Sequence, residues 1–201
     1  MTPDPNMAGP TAVLRRQRIL EAATELLAEG GFAAASVAAV GRRAGVVGSA
    51  LYYHFPSKTD LGKRLVARYR EQFMEALAGL ERESGDARRR LRRYVGLWTR
   101  VLRDRDRMCL CGMMAADIAT LPPSVRSEIK RFFDENEAWL VRVITQGRTS
   151  KALCLAGTPE VEARLLTMGL EGAMLVARSY GQPRRFEEIA DRLLKGLGIV
   201  P

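Results

Sequence analysis

Residues 36–55 read SVAAVGRRAGVVGSALYYHF, and this stretch decides the fold of the chain. At the helical advance of about 100° per residue, the apolar side chains collect on one side of two short segments that meet at Gly45. A turn between helices needs a residue that tolerates unusual backbone angles, as Gly45 does. Two short helices with a glycine turn, each apolar on one side only, are typical of a helix-turn-helix.

The outward side of the second segment is suited to a phosphate backbone. It carries Gly48, Ser49, Tyr52 and Tyr53 and no acidic side chain. The pattern therefore predicts a nucleic-acid binding surface and not a catalytic one.

Residues 45–55, with Lys58 and Leu61 beyond them, resemble the TetR family of bacterial transcriptional regulators. Upstream, the run ILEAATELL at 19–27 and the run GGF at 30–32 resemble the family's first helix and its glycine exit. The resemblance extends over residues 15–65, and its spacing is specific.

The resemblance implies that the second short helix lies in the major groove of DNA. It assigns phosphate contacts to Tyr52, Tyr53, His54 and Lys58, and base-edge positions to Gly48, Ser49 and Tyr52. Further positive charge is expected from Arg42, Arg43, Arg15 and Arg16. The chain departs from the family at Val47, where a capping Ser or Thr is usual, and at Ala38, where some members have a base-reading arginine.

His54 has two interpretations. It falls on the inward side of the second helix, which favours a hydrogen bond within the DNA-binding head, whereas the resemblance implies a phosphate contact.

The charge of the chain is unevenly distributed. The net charge is +9, and almost all of the excess lies in residues 1–107, the part that contains the predicted helix-turn-helix. A basic region of this kind is the electrostatic footprint expected of a partner with phosphates.

The remaining pattern predicts an all-α protein without strands. Apolar periodicity indicates helices near 11–29, 57–83, 87–105, 124–147, 158–180 and 186–197. Ser57 with Asp60 forms a capping-box-like start, and Thr158–Pro159 is another helix start. We expect a flexible arm at 1–14, a three-helix DNA-binding domain at 15–56, and a larger helical ligand-binding and dimerisation domain at 57–201 that begins with a connecting helix at 57–83.

An enzyme is not expected. The chain has one histidine and three cysteines, and Cys109 and Cys111 would point in opposite directions on a helix, so neither a zinc site nor a Cys-His pair is predicted. No phosphate-binding or dinucleotide motif is present, and no cofactor is predicted. The odd cysteine count, the lack of a long apolar run and the absence of a signal-like N-terminus favour a cytoplasmic protein without a membrane span.

The small, sulfur-rich run at 108–116 has three interpretations: flexible core packing, a ligand pocket, or electrophile sensing through Cys109 or Cys111. The resemblance implies a small-molecule effector in the C-terminal domain. Candidate pocket residues are Trp98, Cys109, Cys111, Met113, Met114, Phe133, Trp139 and Met174.

The last two helices are apolar and contain glycines, and in the family the corresponding pair forms a four-helix bundle across a two-fold axis. Candidate interface residues are Leu165, Met168, Gly169, Gly172, Ala173, Val176, Leu193 and Leu197. The resemblance thus implies a homodimeric repressor that binds a palindromic operator on double-stranded DNA and leaves it when an effector binds. A DNA-binding regulator without ligand control remains the alternative.

Overall fold

The structure, a computed structural model, describes residues 10–46, 49–83, 85–103 and 108–200. Within these ranges the chain forms nine α-helices and one short 3-10 helix and contains no strand, which confirms the all-α prediction. The helices are α1 (Pro10–Ala34), α2 (Val37–Ala44), α3 (Ser49–His54), α4 (Lys58–Glu83), α5 (Ala87–Arg103), α6 (Leu110–Ala116), α7 (Pro123–Thr149), α8 (Pro159–Ser179) and α9 (Pro183–Gly196), with the 3-10 turn at Ile118–Thr120.

The chain divides into two compact units. The first unit comprises residues 1–68 and 113–128, and the second unit comprises residues 69–112 and 129–201. Helix α4 contributes its first part to one unit and its remainder to the other. The domain boundaries expected from the sequence stay a prediction.

In the first unit, glycine interrupts α1 near the predicted end of the first helix. Gly30 and Gly31 have non-helical backbone angles, and Gly31 has a φ of 67°. A positive φ is strained for residues with a side chain, so glycine at this position permits the break.

Side-chain caps fix several helix starts. Ser36 accepts a hydrogen bond from the backbone N–H of Ala39. The hydroxyl of Ser57 accepts one from the backbone N–H of Asp60 and donates one to the Asp60 carboxylate, which confirms the predicted capping interaction. Thr158 accepts one from the backbone N–H of Val161 and directly precedes Pro159, the first residue of α8, which confirms the predicted Thr158–Pro159 start.

Aromatic side chains form the centre of the second unit. Phe73 of α4 contacts Trp98 of α5 and Phe132 of α7, with ring centroids 6.0 and 5.3 Å apart. Tyr94 stacks on Trp139 at 5.6 Å and accepts a hydrogen bond of 2.9 Å from the amide of the buried Asn136. This packing joins α4, α5 and α7 around one core.

Candidate nucleic-acid interface and ligand pocket

A close approach between α2 and α3 shapes the helix-turn-helix. A Cβ added at Gly41 would lie 2.5 Å from the Leu51 side chain and 2.6 Å from the carbonyl oxygen of Val46. Gly45 has a φ of 65°, and the N–H of Val46 donates to the carbonyl of Gly41 at 2.9 Å. Helix α2 therefore ends with Gly45 in the left-handed backbone conformation, which favours glycine. This ending sets the direction in which the chain enters α3.

The described part of α3 separates an inward from an outward face as the sequence predicts. Leu51 and, just beyond the helix, Phe55 are buried, whereas Tyr52 and Tyr53 are 54 % and 72 % exposed. The exposed hydroxyl groups of these two neighbouring tyrosines can donate hydrogen bonds to the phosphate oxygens of a nucleic-acid backbone. The predicted base-edge position Gly48 and the side chain of Ser49 lie outside the described residues.

The two arginines of α2 differ in their surroundings. Both are exposed, but Arg43 donates hydrogen bonds to Glu29 and forms a longer ion pair with Glu25 at 3.4 Å. The hydrogen bond with Arg43 lowers the pKa of Glu29. Arg42 has no ion pair among the described residues. Of these two predicted phosphate contacts, Arg42 is therefore the one whose charge no described carboxylate offsets.

Lys58 has an additional structural role that the sequence did not indicate. Its ammonium donates to the carbonyl of Ala33 at 3.1 Å and lies 4.6 Å from the centroid of the Phe32 ring. Arg18 acts similarly, because it donates to the carbonyl of Ala44 at the end of α2. Both basic side chains stabilise helix ends whose carbonyls lack helical partners.

His54 is half-buried, between the two orientations expected from the sequence. Its pKa is lowered, first by burial and then by the positive charges of Arg15 and Arg16. The structure thus brings these three predicted residues into one basic neighbourhood, which favours the neutral form of the histidine.

The second unit contains a pocket between α4 and α5 with a volume of about 540 Å³. The lining residues are Tyr69, Gln72, Phe73, Ala76, Leu97, Arg100 and Val101. None of the residues predicted for the ligand pocket is among them. Tyr69 and Phe73 belong to the apolar periodicity that predicts the helix at 57–83, and such a pattern does not distinguish a pocket wall from a core.

The predicted pocket residues are instead mostly core. Trp98, Trp139, Met114, Met174, Cys109 and Cys111 are buried, Phe133 and Met113 are half-buried, and Met113 and Met114 belong to the first unit. Packing alone accounts for the six buried residues, and a role of the set in ligand binding stays a prediction.

Cys109 and Cys111 are neighbours, contrary to the expectation that they point in opposite directions. Cys109 precedes the first residue of α6, so helical geometry does not separate the two thiols. Burial, followed by the interaction with Cys111, raises the pKa of the Cys109 thiol well above its usual value. Neither thiol has the exposed, electropositive surroundings that favour a reactive thiolate.

Glu171 of α8 is a half-buried acid that sequence reasoning missed, and its carboxyl oxygen Oε1 is shielded from solvent. A Cβ added at Gly112 would lie 2.3 Å from a Glu171 carboxyl oxygen, and the other oxygen of this carboxyl has no hydrogen-bond partner among the described residues. Burial, followed by the interaction with Cys109, raises the pKa of Glu171 to about 10. The signal in the sequence was a lone acid within the apolar run at 165–177.

The predicted interface residues of α8 and α9 fall into two groups. Leu165, Met168 and Val176 are 55 %, 64 % and 49 % exposed, and a Cβ at Gly172 would meet no atom within 4 Å. In contrast, Gly169 packs against Leu193 of the same chain, and Leu197 is buried. Ala173 is half-buried. Gly169 therefore allows α9 to approach α8, and Leu197 is not accessible to a second copy.

Within the described ranges, no cluster of three His, Cys, Asp or Glu side chains could hold a metal ion. No helix in that part of the chain is sufficiently long and apolar to cross a membrane.

Both the N-terminal and the C-terminal part of the chain match families of known proteins. Residues 19–65 match the family described as bacterial regulatory proteins, tetR family. Residues 87–193 match the tetracyclin repressor-like C-terminal domain.

Individual relatives cover most of the chain. A TetR-family transcriptional regulator from Agrobacterium tumefaciens is 31 % identical, with a TM-score of 0.88 over 92 % of this chain and 98 % of that one. The HTH-type transcriptional repressor DhaR of Mycobacterium sp. (strain GP1) is 25 % identical over 80 % of both chains. The nucleoid occlusion factor SlmA of Marinobacter nauticus is 27 % identical over 79 % of this chain and 80 % of its own.

Proposed function

The chain belongs to the tetR family of bacterial regulatory proteins, and from that premise we propose that it is a dimeric repressor released from its DNA operator by a small molecule. Proteins of this family are transcriptional regulators and not enzymes, so the chain is a transcriptional regulator with a DNA-binding domain. Repression, dimerisation and ligand control are the proposed parts.

The observation that carries DNA binding is the surface of α3. Tyr52 and Tyr53 are exposed and precede His54, which lies in the field of Arg15 and Arg16 of α1, while Leu51 fixes the helix from its inward side. The outward positions offer no Arg, Asn or Gln for bidentate contacts with base edges. We therefore propose that phosphate contacts fix the position of the protein along the DNA. Sequence preference then comes from Ser49, from close approach of the main chain at Gly48, and from DNA shape.

Dimerisation is supported by the exposed apolar side chains of α8. Leu165, Met168, Leu175 and Val176 are all about half exposed or more, and contiguous apolar surface of this kind marks an interaction site. A two-fold pairing through α8 presents two α3 helices, as a palindromic operator requires.

Ligand control is supported by the pocket of the second unit, because α4 takes part in both functions. Lys58 at the start of α4 belongs to the proposed DNA surface, and Tyr69 and Phe73 further along the same helix line the pocket. A ligand that favours one position of α4 would alter the spacing of the two α3 helices and lower operator affinity.

The test begins with selection of bound fragments from a random duplex library. Binding of the selected duplex is then titrated by fluorescence anisotropy against a scrambled duplex. We expect a clear preference for the selected duplex, and Ser49 substitutions should change base preference by about 1–3 kcal/mol at a read position. Equal binding of both duplexes would contradict sequence-specific repression.

A further inference from the structure

The pocket between α4 and α5 has the size and wall of a small-molecule site. Its volume of about 540 Å³ lies within the range of about 300–1,000 Å³ that is usual for such sites. All lining residues belong to the second unit. The whole wall of the pocket therefore lies within one compact unit.

Most of the wall is apolar and aromatic. Phe73, Leu97 and Val101 lie on it, and Phe73 is fixed from behind by ring contacts with Trp98 at 6.0 Å and Phe132 at 5.3 Å. The ring of Tyr69 stacks on Phe73 with centroids 6.5 Å apart. A flat apolar ligand body suits such a wall.

Arg100 is the charged residue of the lining. It is exposed, and within the described ranges no carboxylate or carbonyl engages its guanidinium. Other arginines of α5 are engaged: Arg93 pairs with Glu83, and Arg103 with Glu187 at 2.5 Å. An unengaged guanidinium at an apolar pocket is suited to a planar carboxylate.

Glu171, the half-buried acid described above, belongs to the same unit and does not reverse the preference of the pocket for an anion. It does not line the pocket, and burial raises its pKa to about 10, so the carboxyl is neutral at pH 7. Among the described lining residues, the fixed charge is then the positive charge of Arg100.

We propose that the α4–α5 pocket binds a monovalent organic anion, in which an aromatic or aliphatic body packs against Phe73 and Leu97 and a carboxylate pairs with Arg100. The role of this anion as an effector rests on the ligand control proposed above. Binding of the anion to the pocket is independent of that proposal.

A charge series with a constant body tests the proposal. The probes are 4-phenylbutyrate, its neutral amide 4-phenylbutyramide, and the cation 4-phenylbutylamine, each titrated into the full chain by calorimetry. We expect the anion to bind at least about tenfold more tightly than the other two, since a charge-assisted pair with arginine is available to the anion alone.

Three variants distinguish the contribution of the Arg100 charge to binding from that of the apolar cavity. Arg100→Gln should reduce anion affinity by about tenfold and equalise it with that of the amide. Leu97→Trp, which fills the pocket, should weaken all three probes. Arg89→Gln removes the same charge from an exposed site on the same helix and should leave the preference unchanged.

Three outcomes overturn the proposal: no detectable binding of 4-phenylbutyrate, tighter binding of the amine, or an anion affinity that Arg100→Gln leaves intact. Release of the selected duplex, followed by anisotropy, distinguishes this inference from the proposed function. An anion that binds through Arg100 without releasing DNA supports the site and contradicts ligand control by it. DNA release by another compound, without 4-phenylbutyrate binding, contradicts the site alone.

Discussion

Arg43 of α2 donates hydrogen bonds to both carboxylate oxygens of Glu29 of α1, at 2.9 and 3.0 Å. The pair is exposed, and exposed ion pairs contribute little to the free energy of unfolding. Its main effect is therefore on the charge of the proposed DNA surface, because Glu29 and the more distant Glu25 offset the charge of Arg43.

We expect the double change Glu25→Gln, Glu29→Gln to tighten DNA binding and to steepen its salt dependence by up to about one unit of slope. The released Arg43 guanidinium can then neutralise a phosphate. The measurement is a pair of binding titrations across salt concentrations, on the selected and on a scrambled duplex.

The control for this prediction is the triple variant that also contains Arg43→Gln, in which the added slope should disappear. If the triple variant keeps the steeper slope, general removal of negative charge explains the gain and the Arg43 interpretation is wrong.

Lys58→Ala should weaken binding of selected and scrambled DNA about equally and flatten the salt dependence by about one unit of slope. The reason is that Lys58 is assigned to phosphate and not to a base. Because Lys58 also bonds the carbonyl of Ala33, a thermal melt of the variant must accompany the titrations. Selective loss of binding to one of the two duplexes is the contrary result.

Gly172→Glu should yield folded monomers that no longer bind the palindromic duplex. The position is open in the single chain, so the new side chain is accommodated, whereas a charge at the centre of the α8 stripe opposes pairing. Sedimentation velocity gives the oligomeric state. Gly96→Glu on α5, also at an open helical position, is the matched control and should remain dimeric; a dimeric Gly172→Glu would remove α8 from the interface.

Glu171→Gln should stabilise the chain increasingly as pH rises from 5 to 9. The pKa of Glu171 is about 10 in the folded chain against an ordinary value of 4.5, so between these values the unfolded state binds fewer protons. Stability of the parent chain therefore falls with pH in this window, by as much as about 1.4 kcal/mol per unit, and the glutamine variant lacks this loss. Urea unfolding at pH 5, 7 and 9 measures the difference.

The comparison variant is Glu188→Gln, an exposed change on α9 whose effect on stability should not grow with pH in this way. A constant difference between Glu171→Gln and the parent across the three pH values would show that Glu171 is ionised in the folded chain.

Thiol labelling under native conditions should show one fast cysteine and two slow ones. Cys154 is exposed, whereas Cys109 and Cys111 are buried, and the pKa of Cys109 is raised. The count of thiols that react with a chromogenic disulfide reagent, before and after denaturation, measures this. Cys154→Ser should remove the fast phase; a fast phase that persists would revive electrophile sensing through the buried pair.

The fold followed from local signals that the sequence displays directly. Gly45 marks the turn, Ser57 with Asp60 marks the start of α4, and Thr158 marks the start of α8, and each acts within three or four residues of its own position. Such signals need no knowledge of distant contacts, which explains why the order of the helices was predictable, except for the short helix α6.

The details of the proposed sites depend on residues distant in sequence. Arg18 reaches the carbonyl of Ala44, 26 positions away, and Arg43 reaches Glu29, 14 positions away. Helical periodicity places a residue on a face but does not say which neighbour occupies the space opposite. For the same reason the sequence identified apolar residues of α4 and α5 but did not separate the pocket wall from the core.

The contact between Gly41 and Leu51 also bears on how such a protein diverges. Since no side chain fits at position 41, the inner packing of α2 and α3 leaves little freedom for substitution. Tyr52, Tyr53 and Arg42 have no part in that packing and can be exchanged without disturbing it. A duplicated copy of this gene could thus acquire a new target site through a few surface changes while it retains an unaltered scaffold.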